Sequence, residues 1–276
     1  MPIFLAVLLG IVQGITEFLP VSSSGHLVVF QHFLEPLFGA QKTTLAFDVL
    51  VHVATLFVTL AFLKRDLASI LRYLFQSGPE GAVVRGLALR TIIGTLPAVV
   101  VVLFFKDQIE TAFSSVRAAA GGFVVTALLL ELAHRKQLRF QPTTSNNDYG
   151  ISWPLPTPLQ ALLIGTAQAV AILPGVSRSG STIAAALLLG LPAESALRFS
   201  FFLFIPAVLG AAVLQLKDLA ELSASHGPAY AAGFVSTILV GWFAVQLLAT
   251  LLRSAKLRYF AIYVACLGLV LLIFGA

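Results

Sequence analysis

Charge is scarce in this chain: Asp, Glu, Lys and Arg make up 11% of its 276 residues, whereas hydrophobic types make up 58% and 22 positions are Phe. A soluble domain carries about 25% charged residues, so a water-facing globule is excluded. Cysteine is nearly absent as well. The single Cys266 excludes an intrachain disulfide framework and a thiolate metal cluster. No Lys or Arg precedes Lys42, so the opening apolar run lacks the basic flank of a signal peptide and reads as retained in the mature protein. The helical zinc-protease, phosphate-loop and nucleophile-elbow motifs are missing, and no paired-carboxylate cage for a protein-held metal is visible.

What the chain has instead is long charge-free runs, over 1–16, 49–63, 91–105, 118–130, 159–176, 199–216, 227–252 and 259–276. A spanning helix needs about 20 apolar residues, and several of these runs reach that length. A β-barrel predicts alternating apolar and polar positions; these runs are apolar on every side and read as helices. The fold class is therefore an all-α polytopic membrane protein whose first partner is the lipid bilayer. The basic residues sit between the runs, so the net charge of +5 reflects loop topology rather than nucleic-acid binding.

Two stretches repeat one another. "QGITEFLPVSSSGH" from Gln13 and "QAVAILPGVSRSGST" from Gln168 both run Gln, an apolar stretch, Leu-Pro, then Val-Ser-x-Ser. Further apolar segments follow each at similar offsets. The predicted division is a first repeat at 1–134, an inter-repeat surface loop at 135–158 and a second repeat at 159–276. Short basic loops favour the cytoplasm, and those around Lys64, Arg65 and Arg72, around Arg135, Lys136 and Arg139, and around Arg253, Lys256 and Arg258 orient the segments. Spanning helices at 45–63, 87–105 and 118–133 then run opposite to their counterparts at 199–216, 229–252 and 259–275. This arrangement makes residues 1–42 and 159–197 re-entrant helical hairpins, broken by Pro20 and Pro174. About six spans and two hairpins form an inverted-topology repeat, and the two Ser-rich loops are expected to meet in a wet cavity.

Gln13 and Glu17 lie four apart, on one face of a helix, beside Ser22, Ser23, Ser24, Gly25 and His26. A carboxylate at such depth is a functional candidate by default. Arg178, among Ser177, Ser179, Gly180 and Thr182, offers the planar fork that suits a phosphate. Both serine stretches precede helical sequence whose free N–H groups favour an anion. The bland alternatives are close helix packing by small residues and a structural Arg178–Glu17 pair. Asp48 and His52, also four apart, are weaker candidates for supporting or metal-contacting groups. The small-residue stretch "AAAGG" at 118–122 permits a homodimer.

These two blocks resemble the bacterial undecaprenyl pyrophosphate phosphatases associated with bacitracin resistance, over nearly the whole chain. "QGITEFLPVSSSGH" matches that family's (Glu/Gln)-x-x-x-Glu and Ser-Ser-x-Gly-His elements, and "LPGVSRSGST" its Pro-Gly-x-Ser-Arg-Ser element. The resemblance implies an inner-membrane phosphatase, and the basic loops orient its headgroup site toward the outer, periplasmic face. It would convert an isoprenyl pyrophosphate to the monophosphate carrier reused in peptidoglycan synthesis. It implies a catalytic set of Glu17, Ser23, His26 and Arg178, substrate contacts from Gln13, Ser22, Ser24, Gly25, Ser177, Ser179, Gly180 and Thr182, and a divalent cation, Mg²⁺ or Ca²⁺, bridging phosphate and Glu17. Gln13 stands where many relatives have a first glutamate, which counts against a two-carboxylate magnesium site. Ser23 is the expected nucleophile, with His26 or Glu17 taking its proton; attack by activated water is the rival.

One alternative comes from another class: a transporter or flippase for an anionic lipid phosphate, since inverted repeats with broken helices are a transporter device. The acid-phosphatase-like lipid phosphatases need a further His shortly after their Ser-Arg element, and here the next is His226.

Overall fold

The computed structural model describes residues 1–33, 45–139, 151–214 and 226–275, and the described residues are helical with no strand. Their helices are α1 (Ile3–Phe18), α2 (Ser23–Phe33), α3 (Leu45–Phe62), α4 (Lys64–Tyr73), α5 (Pro79–Phe104), α6 (Lys106–Phe113), α7 (Val116–Arg139), α8 (Pro158–Val170), α9 (Arg178–Leu188), α10 (Ala193–Leu214), α11 (Gly227–Arg253) and α12 (Arg258–Phe274). Four of them, α5, α7, α10 and α11, are long and apolar enough to cross a membrane. The pair α3 and α4, bent by 71°, counts as a fifth if it is one span. Helices α1, α8 and α12 are apolar but shorter, at 16, 13 and 17 residues. The lipid-facing surface is plain in α5, where Leu103 and Phe104 are 72% and 75% exposed. Such an apolar exterior is stable in hydrocarbon and not in water.

Several boundaries differ from the hydropathy reading for local reasons. Helix α5 begins at Pro79 rather than 87, because proline in the first turn follows Gly78 at φ 116 and the polar residues Glu80 and Arg85 are carried by the helix end. Residues 64–73 and 106–113, expected as loops, are the short helices α4 and α6. In α4 the charges of Lys64, Arg65 and Arg72 are exposed while Asp66 is buried.

The stretch 135–158, expected to be a surface loop, is not one throughout. Helix α7 continues to Arg139, and Ile151 and Trp153 are buried in the core. The indole N–H of Trp153 donates to Asp66 at 3.0 Å, and Asp66 also pairs with Arg198 of α10. Arg90 of α5 donates to the Pro156 carbonyl. Residues 140–150 lie outside the described residues, as do 34–44 at the end of the first expected hairpin.

Tight crossings hold the short helices in place. Helix α1 packs on α11, and α8 on α5. A Cβ added to Gly10 of α1 would lie 2.4 Å from the Gly233 carbonyl oxygen, and one added to Gly165 of α8 would lie 2.2 Å from that of Gly94. Close backbone approach of this kind is the membrane substitute for hydrophobic association. In the stretch 118–122, Ala119 and Ala120 are buried and Gly122 sits against the Pro174 carbonyl, so these three pack within the chain.

Gly165→Val forces α5 and α8 apart, and overpacking of this kind costs about 1–3 kcal/mol or more. A lower melting temperature of the detergent-purified protein is expected, whereas Gly121→Ala, with nothing within 4 Å, is expected to leave it unchanged.

Candidate active site

Two broken hairpins meet at the centre of the helix assembly. Helix α1 stops at Phe18 because Leu19 precedes Pro20 and adopts extended backbone (φ −64, ψ 144). Ser22 then takes the left-handed conformation at φ 70 and turns the chain into α2. In the second hairpin α8 stops at Val170, and Gly175, at φ 83, makes the turn before α9. Nothing larger than glycine fits here. A Cβ on Gly175 would fall 1.9 Å from the Ala119 carbonyl oxygen, and one on Gly25 would fall 2.7 Å from the Gly175 Cα. The loops therefore touch each other and lean on α7. Thr126 of α7 pins the second loop, donating to the Gly175 carbonyl and accepting from the Ser177 amide, both at 2.9 Å.

Glu17 is where the loops are tied together. Its Oε1 accepts from Arg178 Nη2 at 2.7 Å. Its Oε2 accepts from the Ser23 hydroxyl at 2.6 Å and from the Gln13 amide at 3.0 Å. His52 Nε2 approaches Oε2 to 3.8 Å. The carboxylate side chain is 7% exposed, so it lies well out of water. The Arg178 guanidinium lies over the Phe204 ring, 3.8 Å from its centroid. Its Nη1 is buried and has no hydrogen-bond partner. An unpaired buried donor costs about 1–3 kcal/mol, and an anionic ligand would satisfy it.

A polar cavity of about 170 Å³ opens on this network, lined by Glu17, Ser22, Ser23, Ser24, His52, Ser177, Arg178 and Ser179 with Thr16, Phe113 and some loop backbone. Beside it an apolar cavity of about 290 Å³ lies between α2, α3, α6 and α10. The two share Ser24, His52 and Phe113.

The expected site residues thus divide. Glu17, Ser22, Ser23, Ser24, Ser177, Arg178 and Ser179 come together around the polar cavity. Gln13, Gly25, Gly180 and Thr182 do not line it: Gln13 supports Glu17, Gly25 is a packing point, and Thr182 bonds Ser200 at 2.6 Å. The helix starts are partly used up. Ser22 Oγ accepts from the Gly25 amide and Ser177 Oγ from the Gly180 amide, so one N–H at each start already has a partner. His26 also stands outside the cavity. Its Nδ1 donates to the Ser22 carbonyl at 2.7 Å, which leaves Nε2 to accept from the Tyr263 hydroxyl at 2.8 Å, and its ring stacks on Tyr263. The histidine inside is His52. Its spacing from Asp48 serves a local bond, Nδ1 to the Asp48 carbonyl at 2.7 Å.

The donor set does not fit a divalent ion held by the protein alone. Hard cations want several oxygen ligands. Here Glu17 has both oxygens engaged, by Arg178 and by Ser23, and its neighbour Gln13 turns an amide N–H toward it. Among the described residues no group of three His, Cys, Asp or Glu side chains is placed to share a metal.

Thr126 escaped the sequence reading, since a threonine in a membrane helix carries no signal of its own. Thr126→Val leaves a buried amide and a buried carbonyl unpaired, at about 1–3 kcal/mol each. A lower melting temperature is expected, with Thr126→Ser recovering most of the loss.

The chain is similar to known proteins over nearly its whole length. The family described as Bacitracin resistance protein BacA matches residues 6–270. An undecaprenyl-diphosphatase of Carboxydothermus hydrogenoformans is 40% identical over 280 residues, covering 99% of this chain and 97% of its own. The undecaprenyl-diphosphatase of Parabacteroides distasonis is 40% identical over 275 residues, covering 97% and 96%. That of Methanosphaera stadtmanae is 36% identical over 281 residues, covering 97% and 96%. With a match of this extent, its two motif blocks brought together around one carboxylate, the chain belongs to the BacA family.

Proposed function

We propose that this protein hydrolyses undecaprenyl pyrophosphate to undecaprenyl phosphate and inorganic phosphate, recycling the lipid carrier of cell-wall synthesis and conferring bacitracin resistance. The observation that carries the chemistry is the Ser23 hydroxyl donating to Glu17 at 2.6 Å while Arg178 holds the other carboxylate oxygen at 2.7 Å. A serine so placed has a base in contact, and a guanidinium with a free N–H stands beside it. Phosphoryl transfer asks for little more than positioning and charge stabilisation.

Ser23 Oγ attacks the terminal phosphorus and its proton passes to Glu17. The bond from that phosphorus to the bridging oxygen breaks, and undecaprenyl phosphate leaves with the electron pair. Water then hydrolyses the phosphoserine, its hydroxyl going to phosphorus and its proton to Oγ, and Glu17 releases its proton with the products. Arg178 grips the terminal phosphate through Nη1. His26 acts at one remove, holding Ser22 and through it the turn that presents Ser23. The divalent cation, Mg²⁺ or Ca²⁺, accompanies the pyrophosphate rather than occupying a cage of side chains. The apolar cavity receives the start of the isoprenyl chain, with the rest passing between helices into the bilayer.

The same reading covers the topology: an inverted repeat of six spans, α3, α5, α7, α10, α11 and α12, with α1–α2 and α8–α9 as opposed re-entrant hairpins. Several contacts support it. Phe62, Arg198, Leu252 and Arg253 border one crevice, Gln137 donates to the Leu252 carbonyl, and Arg258 pairs with Glu131. The ends of α3, α7 and α11 and the starts of α10 and α12 therefore share the face that carries the basic residues. Phe47, Tyr230 and Leu5, at the starts of α3, α11 and α1, cluster away from it. A basic face of this kind belongs in the cytoplasm. Phe113 and Asp48, at the cavities and at the opposite helix ends from that face, support mouths that open toward the outer side of the plasma membrane.

Purified protein in detergent, where no gradient exists, is expected to release phosphate from an isoprenyl pyrophosphate; a transporter or flippase would release none. Arg178→Lys keeps the charge and loses the fork, and a fall in turnover on the order of 10²-fold is expected. Rapid quench with labelled substrate is expected to trap phosphate on Ser23. Unlabelled protein, together with inverted configuration at phosphorus, would overturn the serine route. Titration with Mg²⁺ alone is expected to show no saturable site at micromolar concentration.

A further inference from the structure

One polar side chain at the boundary between the two cavities is not yet used by the chemistry above. His52 sits on α3 with its ring orientation fixed, because Nδ1 donates to the Asp48 carbonyl at 2.7 Å. That bond leaves Nε2 as the ring's free corner, an acceptor in the neutral ring, as at His26, and an N–H donor toward an anion in the imidazolium. It stands 3.8 Å from Glu17 Oε2, beyond hydrogen-bond distance, and the side chain is 35% exposed. The ring borders both the polar cavity of Glu17, Ser23 and Arg178 and the apolar cavity of Leu27, Val28, Val49 and Val208. Besides His52, the residues common to both are Ser24 and Phe113.

A pyrophosphate lipid bound for the proposed reaction has its terminal phosphate at Ser23 and Arg178 and its chain in the apolar cavity. The second phosphate, attached to the lipid, must then lie at the seam. The polar groups waiting there are Ser24 and Nε2 of His52. Ser24 Oγ is engaged with Ser22 Oγ at 3.2 Å, whereas Nε2 has no hydrogen bond in the arrangement described above. The charged residues lining the cavities that the ring borders are Glu17 from α1, Asp48 from its own helix and Arg178 from α9, while α10 presents Val208, Ala211 and Ala212. With Arg178 on the terminal phosphate, the group left to meet the second one is the His52 ring.

We propose that His52, as the imidazolium with Nε2–H donating, binds the lipid-side phosphate and so sets the register in which the terminal phosphorus faces Ser23. The inference rests on the hydrolase reading and adds a specificity element to it. A lipid monophosphate seated by its chain places its one phosphate at His52, away from Ser23, so the product is held without being cleaved. Inorganic phosphate, the other product, is held at Arg178 and does not involve His52.

The test uses full-length detergent-purified protein, farnesyl pyrophosphate as substrate, and farnesyl monophosphate and inorganic phosphate as inhibitors. His52→Ala is expected to lower kcat/KM roughly 10- to 100-fold, the range for one hydrogen bond to a charged group. It is expected to weaken inhibition by farnesyl monophosphate by a similar factor and to leave inhibition by inorganic phosphate within about twofold. His52→Gln, which supplies an N–H donor without the charge, is expected to recover part of both losses. His52→Leu serves the same comparison if His52→Ala does not fold. Wild-type kcat/KM in the apolar variants, or equal weakening of both products, overturns the inference while the hydrolase reading stands. A wild-type protein that releases no phosphate overturns both.

Discussion

One buried ion pair, Arg178 to Glu17, holds the centre of this protein together. The partners come from different hairpins, 161 residues apart in sequence, and meet at 2.7 Å with the carboxylate almost wholly out of water. Taking two charges out of water is expensive, and their mutual attraction repays it only when further hydrogen bonds complete the shells. For Glu17 they do: Ser23, Gln13 and Arg178 together occupy both oxygens. For Arg178 they do not, because Nη1 is left with the Phe204 ring and no acceptor. The asymmetry is what a phosphate site requires. In the proposed hydrolysis Glu17 would be organised as the base before substrate arrives, with the anion grip of Arg178 left incomplete.

Everything around the pair serves to bring two chain breaks to one place. Pro20 follows the end of α1, α8 stops at Val170 ahead of the turn at Gly175, serines cap the helices that follow, and two glycines let the loops touch. The tight crossings at Gly10 and Gly165 fix where the short helices stop. Non-helical backbone at this depth is tolerable because it lines a cavity and is bonded by Thr126. The site is rigid for the same reason: its supports are helices packed backbone to backbone.

Much of this was legible in the sequence, and what was not has a physical reason. The all-helical membrane class follows from charge-free runs, and the meeting of the two loops from the repeated Gln, Leu-Pro and Ser-rich blocks. Glu17, Ser23 and Arg178 stand out because polar groups in hydrocarbon are costly. His26 and His52 show where such reasoning stops. Both are histidines near the serine loop, and both sit four residues from a group they bond, yet one faces Tyr263 and the other the cavity. That difference is set by which helix packs behind the ring, and sequence spacing does not encode it. The segment 151–157 misled for a related reason: its Pro and polar neighbours read as surface, while Trp153 found Asp66 in the core. Thr126 and the crossing glycines are visible only once their partners are in place.

On the proposed function, two similar hairpins have divided duties, one carrying nucleophile and base, the other the guanidinium. The most direct test of that division is a structure with a non-hydrolysable isoprenyl methylenediphosphonate bound. The account predicts the terminal phosphonate against Arg178 Nη1 and within reach of Ser23 Oγ, with the chain entering the apolar cavity past His52. A headgroup seated away from Arg178, for instance beside Arg198 and Glu194 on the basic face, would contradict it.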